Sequence, residues 1–222
     1  SWQYYSGYCS FSPNKVFNFQ IGHDKQFWGD GYRSLFLSDN AAPYSFLKIT
    51  TTVWKLKYVS MYAMMTDATH PSNTKNNFKK KYGTFHMLSW NVTKRINLNL
   101  FESIIWQGND ANRSRSYDVN YLNPLIFFRP LEYSVGSSDN AFLGLGYKIK
   151  VARHQQFYGQ VLLDEFLLSE VKKDALELIN PDDTTDSGWW ANKQAYQFGF
   201  RSFDLLRIKN LDFQTEANIV RP

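Results

Sequence analysis

A single cysteine, Cys9, stands in the 222 residues, so no internal disulfide staples the chain, and the redox compartment is left open. Without an evident partner, Cys9 reads as a small, half-buried strand residue and not as a nucleophile. Long hydrophobic runs are missing too. Apolar pieces such as "PLIFF" and "VLL" fall far short of the ~18 apolar residues of a membrane-spanning helix, which excludes insertion as a helix. A barrel remains open, because it spreads its apolar residues over alternate positions. Linkers rich in Pro, Gly and Ser, charge-block boundaries and low-complexity tracts are absent, so 1–222 reads as a single domain or a fragment of one. Ser1–Tyr5 has neither the basic nor the apolar region of a secretory leader.

Catalytic constellations are also lacking. The four histidines, at 23, 70, 86 and 154, show no metal-ligand spacing. There is no GxSxG and no phosphate-cradling glycine loop. Asp164 and Glu165 are adjacent, so they point apart in a strand and make a poor acid/base pair. No enzyme activity and no cofactor is expected. Charge of one sign is scarce: 25 Lys and Arg against 20 Asp and Glu leave +5. The densest basic run, "FKKKY" at 78–82, reads as a solvated loop. With no basic stripe, no nucleic acid partner is expected.

What is abundant is aromatic: 14 Tyr, 18 Phe and 7 Trp make up 18% of the chain. Aromatics favour strands, and also surfaces that meet sugars, lipids or proteins. Period-2 alternation recurs. Phe17, Phe19 and Ile21 alternate with Asn18, Gln20 and Gly22, and similar patterns fill 141–150, 196–201 and 211–219. Less regular strands read at 46–54, 56–66, 83–91, 95–105 and 156–166. For 56–66 the apolar face is not legible.

The connections between these strands alternate in length. Long links at 24–45, 67–82, 106–139 and 168–192 alternate with short ones at 55, 91–95, 151–155 and 203–210. In an up-and-down antiparallel sheet, alternate connections lie at opposite ends. All long loops would gather at one end, the asymmetry of outer-membrane barrels with short turns on one side. The expected fold is therefore all-β, an antiparallel up-and-down transmembrane barrel, this chain being part of a larger one. A soluble sandwich or a small soluble barrel fits the alternation as well. "EFLLSEVKKDALELIN" has apolar residues at helical spacing, which predicts one short helix near 165–180 inside a loop insertion at 165–187.

Three polar clusters are candidate glycan sites. The first, "HDKQFWGDGYRS", sets Asp24, Lys25, Trp28, Asp30, Tyr32 and Arg33 around a Gly-Asp-Gly turn, and "SDNAAP" adds Asp39 and Asn40. An aromatic ring suits the C–H side of a sugar, and planar donors and acceptors suit its hydroxyls. The same residues also suit a loop folded into a barrel and held by ion pairs and an anchoring Trp, with Asp39 and Asn40 making turn bonds. The second cluster holds Arg129 and Glu132, which pair with each other or meet substrate. The third holds Trp189 and Trp190, which point to opposite faces if extended, for an interface belt or a glycan. Lys148, Lys150, Gln160, Asp164, Gln197, Arg201, Asp212, Gln214, Glu216 and Asn218 are expected on the inward faces of the strands.

"GHDKQFWGDGYRSLFLSDNAAP" resembles the signature region of the Wzi-like capsule-assembly outer-membrane proteins, and within them the gliding-motility RemB group of Bacteroidota. The stretches 82–106, 114–148, 159–171 and 188–218 carry the same likeness. It implies an outer-membrane β-barrel at the cell surface of a Gram-negative bacterium, non-enzymatic and binding surface polysaccharide or lipopolysaccharide. Outer-membrane lipid and protein partners in a cell-surface complex would complete its surroundings. The alternative is a structural barrel subunit of a surface or secretion assembly with no glycan site of its own. Members of that family are longer, so a longer whole protein is expected.

Overall fold

Alternating side chains need a partner strand on each side to satisfy their backbone, and here nearly every strand finds its sequence neighbour. The computed structural model describes residues 5–71, 78–110, 113–114, 119–123, 140–164 and 193–221. The strands are β1 (Gly7–Phe11), β2 (Phe17–Asp24), β3 (Tyr44–Val53), β4 (Leu56–Pro71), β5 (Phe78–Asn91), β6 (Ile96–Gln107), β7 (Asn109–Asp110), β8 (Arg113–Ser114), β9 (Asn140–Lys150), β10 (Gln155–Asp164), β11 (Lys193–Ser202) and β12 (Phe213–Arg221). Ten of them form one sheet in the order β1-β2-β3-β4-β5-β6-β9-β10-β11-β12, while β7 and β8 make a two-stranded ribbon. The arrangement is up-and-down and antiparallel throughout, in one sheet and not in the two facing sheets of a sandwich. Among the described residues β1 and β12 pair only with their sequence neighbours.

Two expectations are corrected. The basic run 78–82 lies within β5, where Lys81 on one face pairs with the buried Asp67 at 3.3 Å. Pairing across β4 carries both strands outward, so the link expected at 67–82 shrinks to 72–77. Asp212 lies before β12, in the turn, where its carboxylate accepts the Asp204 N–H at 3.4 Å. It therefore lines no strand face. The helix expected at 165–180 and the insertion at 165–187 fall outside the described residues.

Register assigns the faces. Lys48, Met61, Phe85, Ser103 and Phe142 stand opposite one another in successive strands, so they share one side. That side also holds Phe101, Lys148, Gln160, Gln197 and Glu216, and the connection 25–43 lies on it. Its curvature follows from reach. Tyr32 is eight residues beyond Asp24, at most about 29 Å of chain. Eight strand spacings separate β2 from β12, about 38 Å across a flat sheet. Yet the Tyr32 N–H donates to Glu216 on β12 at 2.8 Å. The sheet must curl around the loop, with this side concave.

The outer side differs along the sheet. Phe19, Ile21, Leu98, Leu145, Phe198 and Ile219 all point outward and are exposed. In the middle, Ser60, His86 and Glu102 form one buried cross-strand row. The 3-10 turn Val119–Leu122 lies beside it: Thr84 Oγ1 donates to the Tyr121 carbonyl and the Tyr62 hydroxyl to the Leu122 carbonyl, both at 3.0 Å. Trp106 and Tyr121 pack there with ring centroids 4.9 Å apart.

Candidate functional site

The loop 25–43 is a folded strap. The Trp28 N–H donates to the Leu37 carbonyl at 3.0 Å, closing residues 28–37 into a hairpin-like unit. Ser34 Oγ, inside it, donates to the Trp28 carbonyl and accepts the Phe36 N–H. The Gly-Asp-Gly stretch is explained by crowding. A Cβ on Gly31 would run into Glu216 and the Tyr158 ring, and one on Gly29 into Ser34 and Gln160. Neither glycine takes a left-handed φ, so close approach to the strands, and not an unusual backbone angle, requires them.

One half of the strap is held by burial. Trp28 is only 6% exposed and meets the Phe101 ring edge-on at 6.2 Å, while Phe36 stacks on Phe101 at 4.7 Å. Tyr44, Phe46, Val59, Met61, Ala63 and Phe85 complete this core. Phe36 fits because its ring lies over Gly144 of β9, where any Cβ would collide with it.

The other half is held by polar groups. Glu216 of β12 accepts the Tyr32 N–H at 2.8 Å and the Arg33 N–H at 3.1 Å, and the Tyr158 hydroxyl donates to it at 2.9 Å. Gln160 of β10 accepts the Leu35 N–H at 2.7 Å. Gln197 of β11, fully buried, donates to the Arg33 carbonyl and to Asn218, both at 2.9 Å. Lys148 of β9 forms a short ion pair with Asp30. Nearer the strap's root, Lys48 Nζ donates to Gln26 at 2.8 Å.

The candidate residues thus divide. Trp28 and Asp30 face the strands and hold the strap, and the buried Trp28 ring offers no free face. Asp24 ends β2 and accepts the Lys25 N–H at 2.8 Å, and both side chains are half-buried. Tyr32 is 67% exposed with the Arg33 guanidinium 4.6 Å over its ring. Arg33 also approaches the exposed Asp39 at 3.9 Å, and Asn40 stands exposed beside it. Arg129, Glu132, Trp189 and Trp190 fall outside the described residues.

Two groups read separately in the sequence, the loop cluster and the inward-facing Lys148, Gln160, Gln197 and Glu216, meet in one network. Gln26 belongs to the loop cluster by sequence, whereas Phe36, Ser34 and Lys48 carry no such signal there. The strand glycine Gly144 was the available signal, since a glycine within a strand marks close approach by other chain.

No family model, curated protein or solved structure matches this chain.

The hollows beside the strap are apolar. A cavity of about 280 Å³ lies beneath residues 35–41, lined mainly by Phe36, Tyr44, Phe85, Phe101, Phe142 and Leu162. On the outer side an open groove of about 770 Å³ runs along Ile21, Leu47, Tyr62, Met64 and Leu122. Neither offers the convergent planar polar groups that bind sugar hydroxyls. Among the described residues no group of His, Cys, Asp and Glu is arranged to hold a metal ion.

Proposed function

We propose that the chain forms a surface β-barrel, or part of one, of the Wzi-like type in the outer membrane of a Gram-negative bacterium. It holds capsular or exopolysaccharide without covalent chemistry, for capsule attachment or gliding motility. The observation that carries this reading is the strap, clamped across the concave face of an up-and-down sheet whose outer side leaves large apolar residues exposed. Such a band suits hydrocarbon. Strands β2 to β12 of the main sheet run from 8 to 16 residues, which includes the roughly 9–11 of a tilted spanning strand. With ten strands, β1 and β12 run antiparallel and have the polarity to close on one another or to accept further strands. A polar row such as Ser60, His86 and Glu102 is costly against lipid. The Val119–Leu122 turn lies in that sector, so lipid contact falls to the strands on either side.

Sugar contact falls to the exposed rim of the strap: the Tyr32 ring, the Arg33 guanidinium, Asp39 and Asn40. The strap's engagement with the strands and the apolar hollows favour a second reading, a structural barrel subunit with no glycan site. Gel migration of boiled and unboiled outer-membrane protein tests the barrel, which is expected to shift on boiling. Tyr32→Ala with Arg33→Ala is then expected to abolish polysaccharide retention and keep that shift. Unchanged retention, or none in the native protein, selects the structural reading. Extraction without detergent and no shift overturns the barrel.

A further inference from the structure

Charge is unevenly distributed along the sheet axis. Five short turns join β1 to β2, β3 to β4, β5 to β6, β9 to β10 and β11 to β12, and antiparallel order gathers them at one end. Each carries at least one exposed cation. Lys15 stands in the first and Lys55 in the second, Lys94 and Arg95 in the third, Arg153 in the fourth, Arg207 and Lys209 in the fifth. Only two acids share these turns, Asp204 and Asp212 of the fifth, and both are engaged. Asp204 Oδ1 accepts the Asn210 N–H at 2.8 Å, its other oxygen lies 3.3 Å from His154, and Asp212 accepts the Asp204 N–H. The excess of cations in these turns equals the whole chain's +5. The sequence of 165–192, between β10 and β11, has instead seven acids and two lysines.

Apolar side chains stand beside these cations. Trp54 is 80% exposed and takes a left-handed backbone, φ 53°, with Lys55 Nζ 5.1 Å over its ring. Val151 precedes Arg153 and is exposed. In the fifth turn Leu206 is 81% exposed, with Ile208 and Leu211 exposed near it. There the backbone is left-handed at Asp204, Leu206, Arg207 and Asn210. Left-handed geometry costs a branched residue roughly 1–2 kcal/mol, and a leucine held out into water gains nothing in return. The turn is nevertheless fixed, with the Leu205 N–H on the Leu211 carbonyl and the Phe203 N–H on the His154 carbonyl, both at 2.7 Å.

We infer that the short-turn end is a docking surface for anionic phospholipid headgroups: its apolar tips enter the headgroup–acyl boundary while lysines and arginines pair with phosphates. This rests on the membrane reading for the neighbouring apolar band and adds the lipid class and the end that meets it. Each cation near such a surface contributes about fivefold to partition at low salt, and salt screens it. An acidic protein partner would use the same charges and has a use for exposed Trp54 and Leu206 as well; the spread of cations and apolar tips over several turns at one end, next to the apolar band, favours a lipid surface.

The test is flotation with phosphatidylcholine vesicles, with and without phosphatidylglycerol, beside the boiling assay. The native protein is expected to favour the phosphatidylglycerol vesicles and to lose that preference in high salt. Replacing Lys55, Arg153, Arg207 and Lys209 by Gln is expected to lower the preference by roughly 600-fold, about fivefold for each cation, while the boiling shift remains. Leu206→Ser is expected to weaken binding without altering its salt dependence. Equal flotation with both vesicles, or an unchanged preference in the quadruple variant, overturns the inference and leaves a boil-shifting barrel standing. Preference for phosphatidylglycerol without any boiling shift overturns the barrel and keeps the headgroup surface. Charge-dependent binding to polyglutamate with no vesicle preference marks a protein-docking surface and also overturns the inference.

Discussion

The two halves of the concave face hold the same loop by different forces. Over β3 to β6 the strap is held by rings, Trp28 and Phe36 against Phe101. Over β9 to β12 it is held almost wholly by polar groups, Lys148, Gln160, Gln197 and Glu216. Burial is non-directional and sets how firmly the strap sits. Hydrogen bonds to backbone N–H and C=O groups are directional and set its register, which fixes where the Tyr32–Arg33 rim is presented. The apolar half is therefore the seat and the polar half the alignment.

Breaking the seat has the largest expected effect. Trp28→Ala removes a buried indole and is expected to cost about 3–5 kcal/mol, read as a lower denaturant midpoint in detergent, together with rapid proteolysis throughout 25–43. Glu216→Ala comes next. It removes the carboxylate that accepts the Tyr32 and Arg33 N–H groups, for about 1–3 kcal/mol, and cleavage at Arg33 should rise while Trp28 stays buried by fluorescence. Loss of Trp28 burial in this variant would show that the halves are one unit. Gly144→Ala sharpens the contrast from the other side, driving a methyl into the Phe36 ring at about 1–3 kcal/mol. Its cost should add to that of Glu216→Ala if the halves are independent. The smallest effect belongs to Asp30→Asn. Its partly exposed pair with Lys148 is expected to contribute below about 1 kcal/mol and to fade in high salt.

Most strands were legible in the sequence, because polar and apolar residues alternate wherever one face meets the loop side and the other is apolar. Phe17, Phe19 and Ile21 show this. Strand β4 was not legible by face, since Val59, Met61 and Ala63 pack beneath the strap while Tyr58, Tyr62 and Met64 point outward. Of strand β1 only the strand placement of Cys9 was legible, and Cys9 is exposed there, not half-buried, because the five residues of this edge strand are all exposed and keep no apolar period. Three consecutive lysines hid the start of β5, whose cation Lys81 is matched by Asp67, fourteen positions earlier on β4. The loop's chemistry was legible as residue types, and its docking was not. Which strand side chains a loop meets depends on curvature, and curvature is a property of the whole sheet. Gly144 and Gly199 were the local trace, the second lying where the Tyr158 ring crosses β11.

The bonds from Tyr32 and Arg33 to Glu216 join residues 184 and 183 positions apart. Closing so long a chain loop before the intervening hairpins exist is entropically expensive and brings little reward. Hairpins such as β3–β4 need only two linking residues, so they are expected to form early, and the polar half of the strap last. The rim residues thus acquire their final position only at the end of folding, after β12 has joined the sheet.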